Sequence, residues 1–467
     1  MREMSFIQKL YDHMPVPVQN LLVCLSGFSR NLSRYGWFYD AYRNFLKEFD
    51  TWSLEGKLEY QRKELLRLVR YASRYSKFYR ELYRDIPIQR LQSVDDLKML
   101  PVVDKEILRK NINDVVTVKR REAVEGHTGG TTGKSLVVLF TRQDKMKRMA
   151  LLDHFKARVG FENRRMKRAT FNGKHIIPPR QTKKIFWRYN AACRQMIYSS
   201  FHLSEDNMQY YVDSLNHFKP HALDGFFTSL CDIACYMERH GIEPMFAPVA
   251  IFPTSETVTP QGRELLERVF HAKVYDQYAS SEGAPFVTEC PHHALHMELA
   301  SGVFEHLEEN SGEILVTSFT TYGTPLIRYR IGDAMNFEDR DKICSCGCEG
   351  PLVSRIEGRS MDFLYTAEGA RINGGNVANL FKNIPNAIIR AQVIQEKMNA
   401  LVLMLEVDKS LYLPEYDDEL RREFLHKFGA ETEVSIEHVD EIPKEASGKF
   451  RMIQNKLWYG GDEIWNQ

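Results

Sequence analysis

Three stretches of the chain carry residue types that chemistry needs. Thr128-Gly129-Gly130-Thr131-Thr132-Gly133-Lys134-Ser135 combines glycines, hydroxyls and a lysine, and runs directly into the β-rich stretch Leu136 to Thr141. Glycines let the backbone approach a ligand, hydroxyls and amides donate to phosphate oxygens, and Lys134 neutralises charge, so the stretch reads as a cradle for a nucleotide polyphosphate. It is not a Walker A loop, which needs a glycine where Thr128 stands and opens a helix instead of a strand. Cys344, Cys346 and Cys348 lie about fifty residues after Cys290 and the histidines His292, His293 and His296. Thiolates and imidazoles in this number suit a closed, tetrahedral zinc site that stiffens the chain, and the Cys-x-Cys spacing is not that of a zinc finger. Near the end, Pro443-Lys444-Glu445-Ala446-Ser447-Gly448-Lys449 places a further lysine after a Ser-Gly pair.

Elements must position these groups. At 467 residues the chain is too long for a single core, and its 43% hydrophobic and 27% charged residues are those of an ordinary globular protein. Sixty-three Lys+Arg against 62 Asp+Glu give a formal charge of +1, which excludes a global field for nucleic acid or anionic membrane. No run reaches the roughly 20 apolar residues of a membrane span; Pro15 to Phe28 is short and interrupted by Gln19, Asn20 and Ser26. Eight cysteines are too sparse for a disulfide scaffold, so a cytoplasmic, reducing setting is expected. Apolar residues at Leu65, Val69, Ala72 and Tyr79 follow the helical period, and the Tyr, Phe and Arg interleaved from Tyr71 to Tyr83 read as core, not as an RNA-stacking surface. From about residue 120 to 355, β-rich runs (Leu136 to Thr141, Val249 to Pro253, Lys273 to Tyr275, Glu313 to Ser318) alternate with helical ones (Glu205 to Phe218, Ser229 to His240, Gln261 to Phe270). After Gly358-Arg359 come a strand-like run Ala400 to Val407, a charged helix Tyr416 to Phe428 and a strand Thr432 to His438.

With these stretches in view, the sequence resembles the adenylate-forming enzymes, and within them the phenylacetate-CoA ligase-like branch. The hydroxyl-rich loop ending in Gly133-Lys134 is similar to the family's phosphate loop. Tyr278-Ala279-Ser280-Ser281-Glu282-Gly283 looks like its aromatic-x-Ser/Thr-Glu motif, and Thr324 to Asp333 like its Pro-Leu-Ile-Arg-Tyr-x-x-Gly-Asp motif. Gly358-Arg359-Ser360-Met361-Asp362 resembles the hinge motif, with Met361 where a second acidic residue is usual, and the segment ending in Lys449 resembles the C-terminal catalytic motif. The five follow the family's order. Met14 to Asn20 and Arg34-Tyr35-Gly36 look like members associated with capsular polysaccharide biosynthesis.

The resemblance implies an α/β fold: a large N-terminal domain of layered sheets and helices over residues 1–358, with a helical section to about residue 100, and a small mobile C-terminal α+β domain over 359–467. It implies a ligase that uses ATP to activate a carboxylic acid as an acyl-AMP, releasing pyrophosphate, and then forms a thioester with coenzyme A. A sugar or amine acceptor in polysaccharide biosynthesis is one alternative, and a non-catalytic, zinc-stabilised binding protein another. Thr128 to Lys134 would cradle the β- and γ-phosphates, Glu282 would hold magnesium, Asp333 the ribose, and Lys449 would bridge the carboxylate and α-phosphate. Tyr278, Ser281 and either Arg359 or Arg355 would border the nucleotide. For zinc the branch points to Cys290, His296, Cys344 and Cys346, with Cys348, His292 and His293 as possible replacements. A homodimer fits the branch.

Overall fold

The computed structural model describes residues 10–127, 136–178, 183–308, 312–339, 342–359, 363–366, 371–373, 377, 379–381, 384, 387–443 and 450–457. Thr128 to Ser135, Ser360 to Asp362 and Lys444 to Lys449 therefore lie outside the described residues.

Three long helices lie early in the described chain, α1 (Val16–Arg34), α2 (Trp37–Asp50) and α3 (Leu54–Tyr75). Ser53 caps α3 by accepting from the Gly56 amide at 3.3 Å, satisfying one of the free donors of the first turn. The helical stripe of α3 is buried through Leu65, Leu68, Val69 and Ala72, and Tyr79 and Tyr83 join it against Val316, Phe319 and Tyr329. The aromatic run is thus mostly core, although Tyr75 stays exposed.

A hairpin of β1 (Val124–His127) and β2 (Val137–Phe140) flanks the glycine-rich loop and leads into helix α4 (Arg142–Arg158). Thr141 and Asp144 form a reciprocal capping box at the start of α4. A five-stranded sheet follows, in the order β4-β5-β3-β6-β7, from β3 (Arg168–Asn172), β4 (Trp187–Asn190), β5 (Gln195–Ser199), β6 (Ala222–Phe226) and β7 (Ala250–Thr254). Strands β5, β3, β6 and β7 are parallel, and β4 is an antiparallel edge. Helices α5 (Glu205–Phe218), α6 (Phe227–Arg239) and α7 (Pro260–Phe270) cover one face, where Phe171, Leu230 and Phe270 share a core. On the other face Phe155 of α4 packs on Phe252. The expected strand Lys273 to Tyr275 contributes a single bridge, Val274 to Ile251. It goes no further because the Asp276 amide turns to the Glu289 carboxylate, 2.5 Å away.

The second sheet runs β11-β12-β13-β14-β10-β9-β8, with the short strand Val103–Asp104 also paired to β13. Its members are β8 (Gln277–Tyr278), β9 (Val287–Glu289), β10 (Leu295–Met297), β11 (Gly302–His306), β12 (Glu313–Ser318), β13 (Tyr329–Phe337) and β14 (Leu352–Arg359). Beyond it, β15 (Phe363–Tyr365) pairs with β16 (Arg371–Asn373), a hairpin with too few apolar residues to read from sequence.

The C-terminal sheet has the order β19-β18-β17-β20, from β17 (Ile388–Lys397), β18 (Ala400–Val407), β19 (Glu433–Val439) and β20 (Ile453–Asn455). Helix α8 (Glu415–Phe428) buries Leu420, Phe424 and Phe428 and carries acids in its first turn, where the helix dipole favours them. Two ion pairs tie this part to α6: Arg390 reaches Asp232 at 2.7 Å and Arg239 reaches Asp408 at 3.1 Å. Among the described residues no helix is long and apolar enough to cross a membrane.

Candidate active site

The hairpin that flanks the glycine-rich loop packs through one aromatic ring against the turn of a second motif. Phe140, the last residue of β2, lies against two glycines that have no room for a side chain. A Cβ on Gly126 would fall 2.6 Å from the ring, and one on Gly283 would fall 2.9 Å from the ring and 2.3 Å from Thr321. Gly283 also holds φ +107°, a conformation strained for any other residue. The strand entering the glycine-rich loop is thereby pressed against the turn that carries Ser281 and Glu282. Thr324 locks the third motif to the same hairpin, accepting from the Leu139 amide at 2.8 Å and donating to the Leu139 carbonyl at 3.0 Å.

Within this assembly the Tyr278 hydroxyl donates to the Asp333 carboxylate at 2.6 Å. Burial, then the Asp333 charge beside it, holds the phenol well above its ordinary pKa, so it remains a donor at neutral pH. Asp333 stands opposite Arg359 on the paired strands β13 and β14, while Arg355 lies opposite Asn336 and near Glu357. Register therefore brings the Arg359 backbone, and not that of Arg355, beside Asp333. Ser281 is exposed and Glu282 half-buried on the same rim. The structure thus gathers Tyr278, Ser281, Glu282 and Asp333. Thr128, Gly129, Gly130, Thr131, Thr132, Gly133, Lys134 and Lys449 lie outside the described residues.

Arg148 is a member of this assembly that the sequence did not disclose. In α4 it reads as one more cation of a Lys- and Arg-rich helix, yet it is buried and bonded to the Ala284 carbonyl (2.8 Å), Thr320 (2.9 Å) and the Ser280 carbonyl (3.1 Å). It holds the Ser280 to Ala284 turn in place from beneath. Burial pulls its pKa down to about 10, against the opposing charges of Asp144 and Glu282.

The cysteines and histidines resolve into one quartet. Ligand atoms of Cys290, His296, Cys344 and Cys346 all lie within 4.8 Å of one another. The Cys290 and Cys344 sulfurs are 3.7 Å apart, and Cys346 Sγ is 3.4 Å from His296 Nε2. A tetrahedral zinc with ordinary bond lengths requires edges of about 3.7 Å between sulfurs and about 3.5 Å between sulfur and nitrogen. The amides of Cys346 and Cys348 point at the sulfurs of Cys344 and Cys346, each at 3.4 Å, which supports thiolate character. The donor set and its spacing fit the metal. The other candidates are engaged elsewhere: Cys348 beside the Lys57 ammonium at 3.4 Å, His292 with Ser345 at 3.0 Å, and His293 with Glu289 at 2.9 Å.

Known proteins share this architecture. Protein CapK of Staphylococcus aureus is 33% identical over 451 residues, which cover 96% of this chain and 99% of that protein. The chain belongs to the CapK family. Residues 364–456 match the CapK C-terminal domain, so the sheet β19-β18-β17-β20 and helix α8 are that domain. Among solved structures, 2-hydroxyisobutyryl-CoA ligase in its postadenylation state with R3-HIB-AMP is 18% identical, with a TM-score of 0.71 over 87% of this chain and 90% of that one. The same ligase with 2-HIB-AMP and CoA in its thioesterification state gives 0.54 over 88% and 92%. This CapK-family chain therefore has the fold of the adenylate-forming CoA ligases.

Proposed function

We propose that this CapK-family chain is an ATP-dependent, carboxylate-activating ligase of the phenylacetate-CoA ligase-like type, making an acyl-AMP and passing the acyl group to coenzyme A in the cytoplasm. The observation that carries the reading is the packing of the hairpin that flanks the glycine-rich loop against the Ser281-Glu282 turn through Phe140 and against Thr324 through Leu139, with Tyr278, which bonds Asp333, in the same core as Phe140. In such a site a carboxylate attacks the α-phosphorus and pyrophosphate leaves, so charge must be neutralised on both sides of the reacting atom. Glu282 would hold magnesium, which supplies charge to the leaving phosphates. Asp333, oriented by Tyr278, would accept from the ribose hydroxyls, and Lys134 and Lys449 would face the phosphates and the reacting carboxylate. Kinship with CapK keeps a second acceptor in play, a sugar hydroxyl or amine in capsular polysaccharide synthesis.

Pyrophosphate release with MgATP across aryl, aliphatic and amino acids, with and without CoA, tests the activity. Release that turns over only with CoA is the expected result. Lys449→Ala should lower it by about a hundredfold or more while leaving ATP binding measurable. Binding of ATP with no release for any acid would sink the reading.

Cys290, His296, Cys344 and Cys346 would hold a structural zinc, tying β9 and β10 to the segment before β14. The purified protein is expected to contain one equivalent of zinc by elemental analysis, lost in Cys344→Ser and kept in Cys348→Ser. Zinc lost from both variants, or from neither, rejects the quartet.

A further inference from the structure

Lys449 belongs to the connection between β19 and β20, and side chains of the neighbouring strands tie both roots of that connection. At the entering root the Ile442 amide donates to Glu406 Oε2 at 3.1 Å. Ile442 is fully buried, so an amide there needs a partner inside the protein. At the leaving root Gln392 Nε2 donates to the Arg451 carbonyl at 2.7 Å, and the Val393 amide donates to the Met452 carbonyl at 2.7 Å.

Glu406 is itself held in place. Arg390 stands opposite it on the paired strands β17 and β18, with Nη1 at 3.2 and 3.1 Å from the two carboxylate oxygens. The other terminal nitrogen of the same guanidinium, Nη2, reaches Asp232 Oδ2 on α6 at 2.7 Å. The side chains of Arg390, Asp232 and Glu406 are only 7, 9 and 12% exposed, so these bonds form with little competition from water. Asp232, Arg390, Glu406 and the Ile442 amide thus make one file from the large domain to the root of the connection. Its middle member must carry a cation with two separate donor edges, which a planar guanidinium offers and an ammonium does not. The other ion pair to α6 stands apart from this file: Arg239 is divided between Asp408 at 3.1 Å and Glu205 at 2.8 Å.

We propose that Arg390 is a positioning residue for acyl-AMP formation: docked on Asp232, it fixes Glu406 and, through the Ile442 amide, the root of the connection that carries Lys449. This rests on the carboxylate-activating reading above and adds a means by which the seat of the C-terminal domain on α6 governs the lysine.

The test pairs pyrophosphate release with hydrogen exchange at the Ile442 amide, followed by mass spectrometry of the peptides that contain it. Arg390→Met is expected to lower kcat for release about tenfold with KM for ATP within about twofold, as the loss of charge-assisted hydrogen bonds away from the nucleotide requires. Arg390→Lys should recover part of that loss, and Asp232→Asn, a substitution of the same shape, should lower kcat in the same direction by less. Both Arg390→Met and Asp232→Asn should speed exchange at Ile442 about tenfold, although Asp232 acts there only through Arg390 and Glu406. Asp408→Asn, which weakens the separate pair with Arg239, should leave kcat and exchange within about twofold. Unchanged kcat in Arg390→Met, unchanged exchange in Asp232→Asn, or equal acceleration in Asp408→Asn overturns the proposal. If no acid releases pyrophosphate in the unaltered protein, the activity reading fails separately and exchange alone decides. Acceleration in Arg390→Met and Asp232→Asn but not in Asp408→Asn then upholds the positioning file, and any other pattern overturns it.

Discussion

The two ends of helix α4 treat buried charge in opposite ways. At the carboxyl end Arg158 is clamped by Asp50 and Glu298, with Asp50 Oδ2 at 3.0 Å from its Nε, and His154 meets the same Asp50 oxygen at 2.8 Å. Burial alone would raise the Asp50 pKa, but bonds from His154 and Arg158 outweigh it and hold the carboxyl well below the usual range. At the amino end Lys145 has an aromatic face and like charges for company. A closed network of charges fixes α2, α4 and the second sheet to one another, whereas Lys145 rests on the face of an aromatic ring. The helix carries both because its carboxyl end sits between elements and its amino end borders the candidate site.

Replacing Arg158 should expose the difference most strongly. Arg158→Met takes the cation from buried Glu298 and leaves Asp50 to His154, and is expected to cost about 3–5 kcal/mol in urea unfolding at pH 7. A loss within 1 kcal/mol of zero would mean that water reaches the network and the two ends are alike. Lys145→Met should have a smaller effect of opposite sign. Its folded pKa of about 7 lies below that of the unfolded chain, so the unfolded state binds more protons above pH 7 and stability rises with pH from there toward about 10. The unfavourable contribution is fully present below pH 7. Lys145→Met is therefore expected to stabilise by about 1 kcal/mol at pH 6, with the gain shrinking above pH 7 and gone only near pH 10. A variant destabilised at pH 6 would place Lys145 with the structural charges of the other end.

Legibility in the sequence followed the range of the interaction. Glu205–Phe218, Glu313–Ser318 and Ala400–Val407 match the expected runs because a single amphipathic or alternating pattern defines each. Strand β17 has no such apolar pattern because its buried positions include Gln392 and Gln395, polar residues satisfied only across the fold, where Gln395 accepts from the Tyr365 amide and donates to its carbonyl. Tyr278, Glu282 and Asp333 could be read as motif members, but their shared rim could not. Arg148 and Lys145 gave no signal, since in a helix whose sequence is RQDKMKRMALLDHFKAR both pass for solvated cations.

What the sequence determined by itself was local: glycines where a backbone must approach, thiols and imidazoles in a number that suits zinc, and the order of five motifs. Those features depend on residue type and short spacing, which the chain states directly. Tertiary structure decided the rest. It drew Cys290 and His296 from one strand pair and Cys344 and Cys346 from a segment about fifty residues later, leaving Cys348 to Lys57. It also paired Asp50, Glu298 and Asp224 with particular cations and set Lys145 over the Phe140 ring. Charge pairing depends on distances between elements far apart in the chain, and only packing sets those distances.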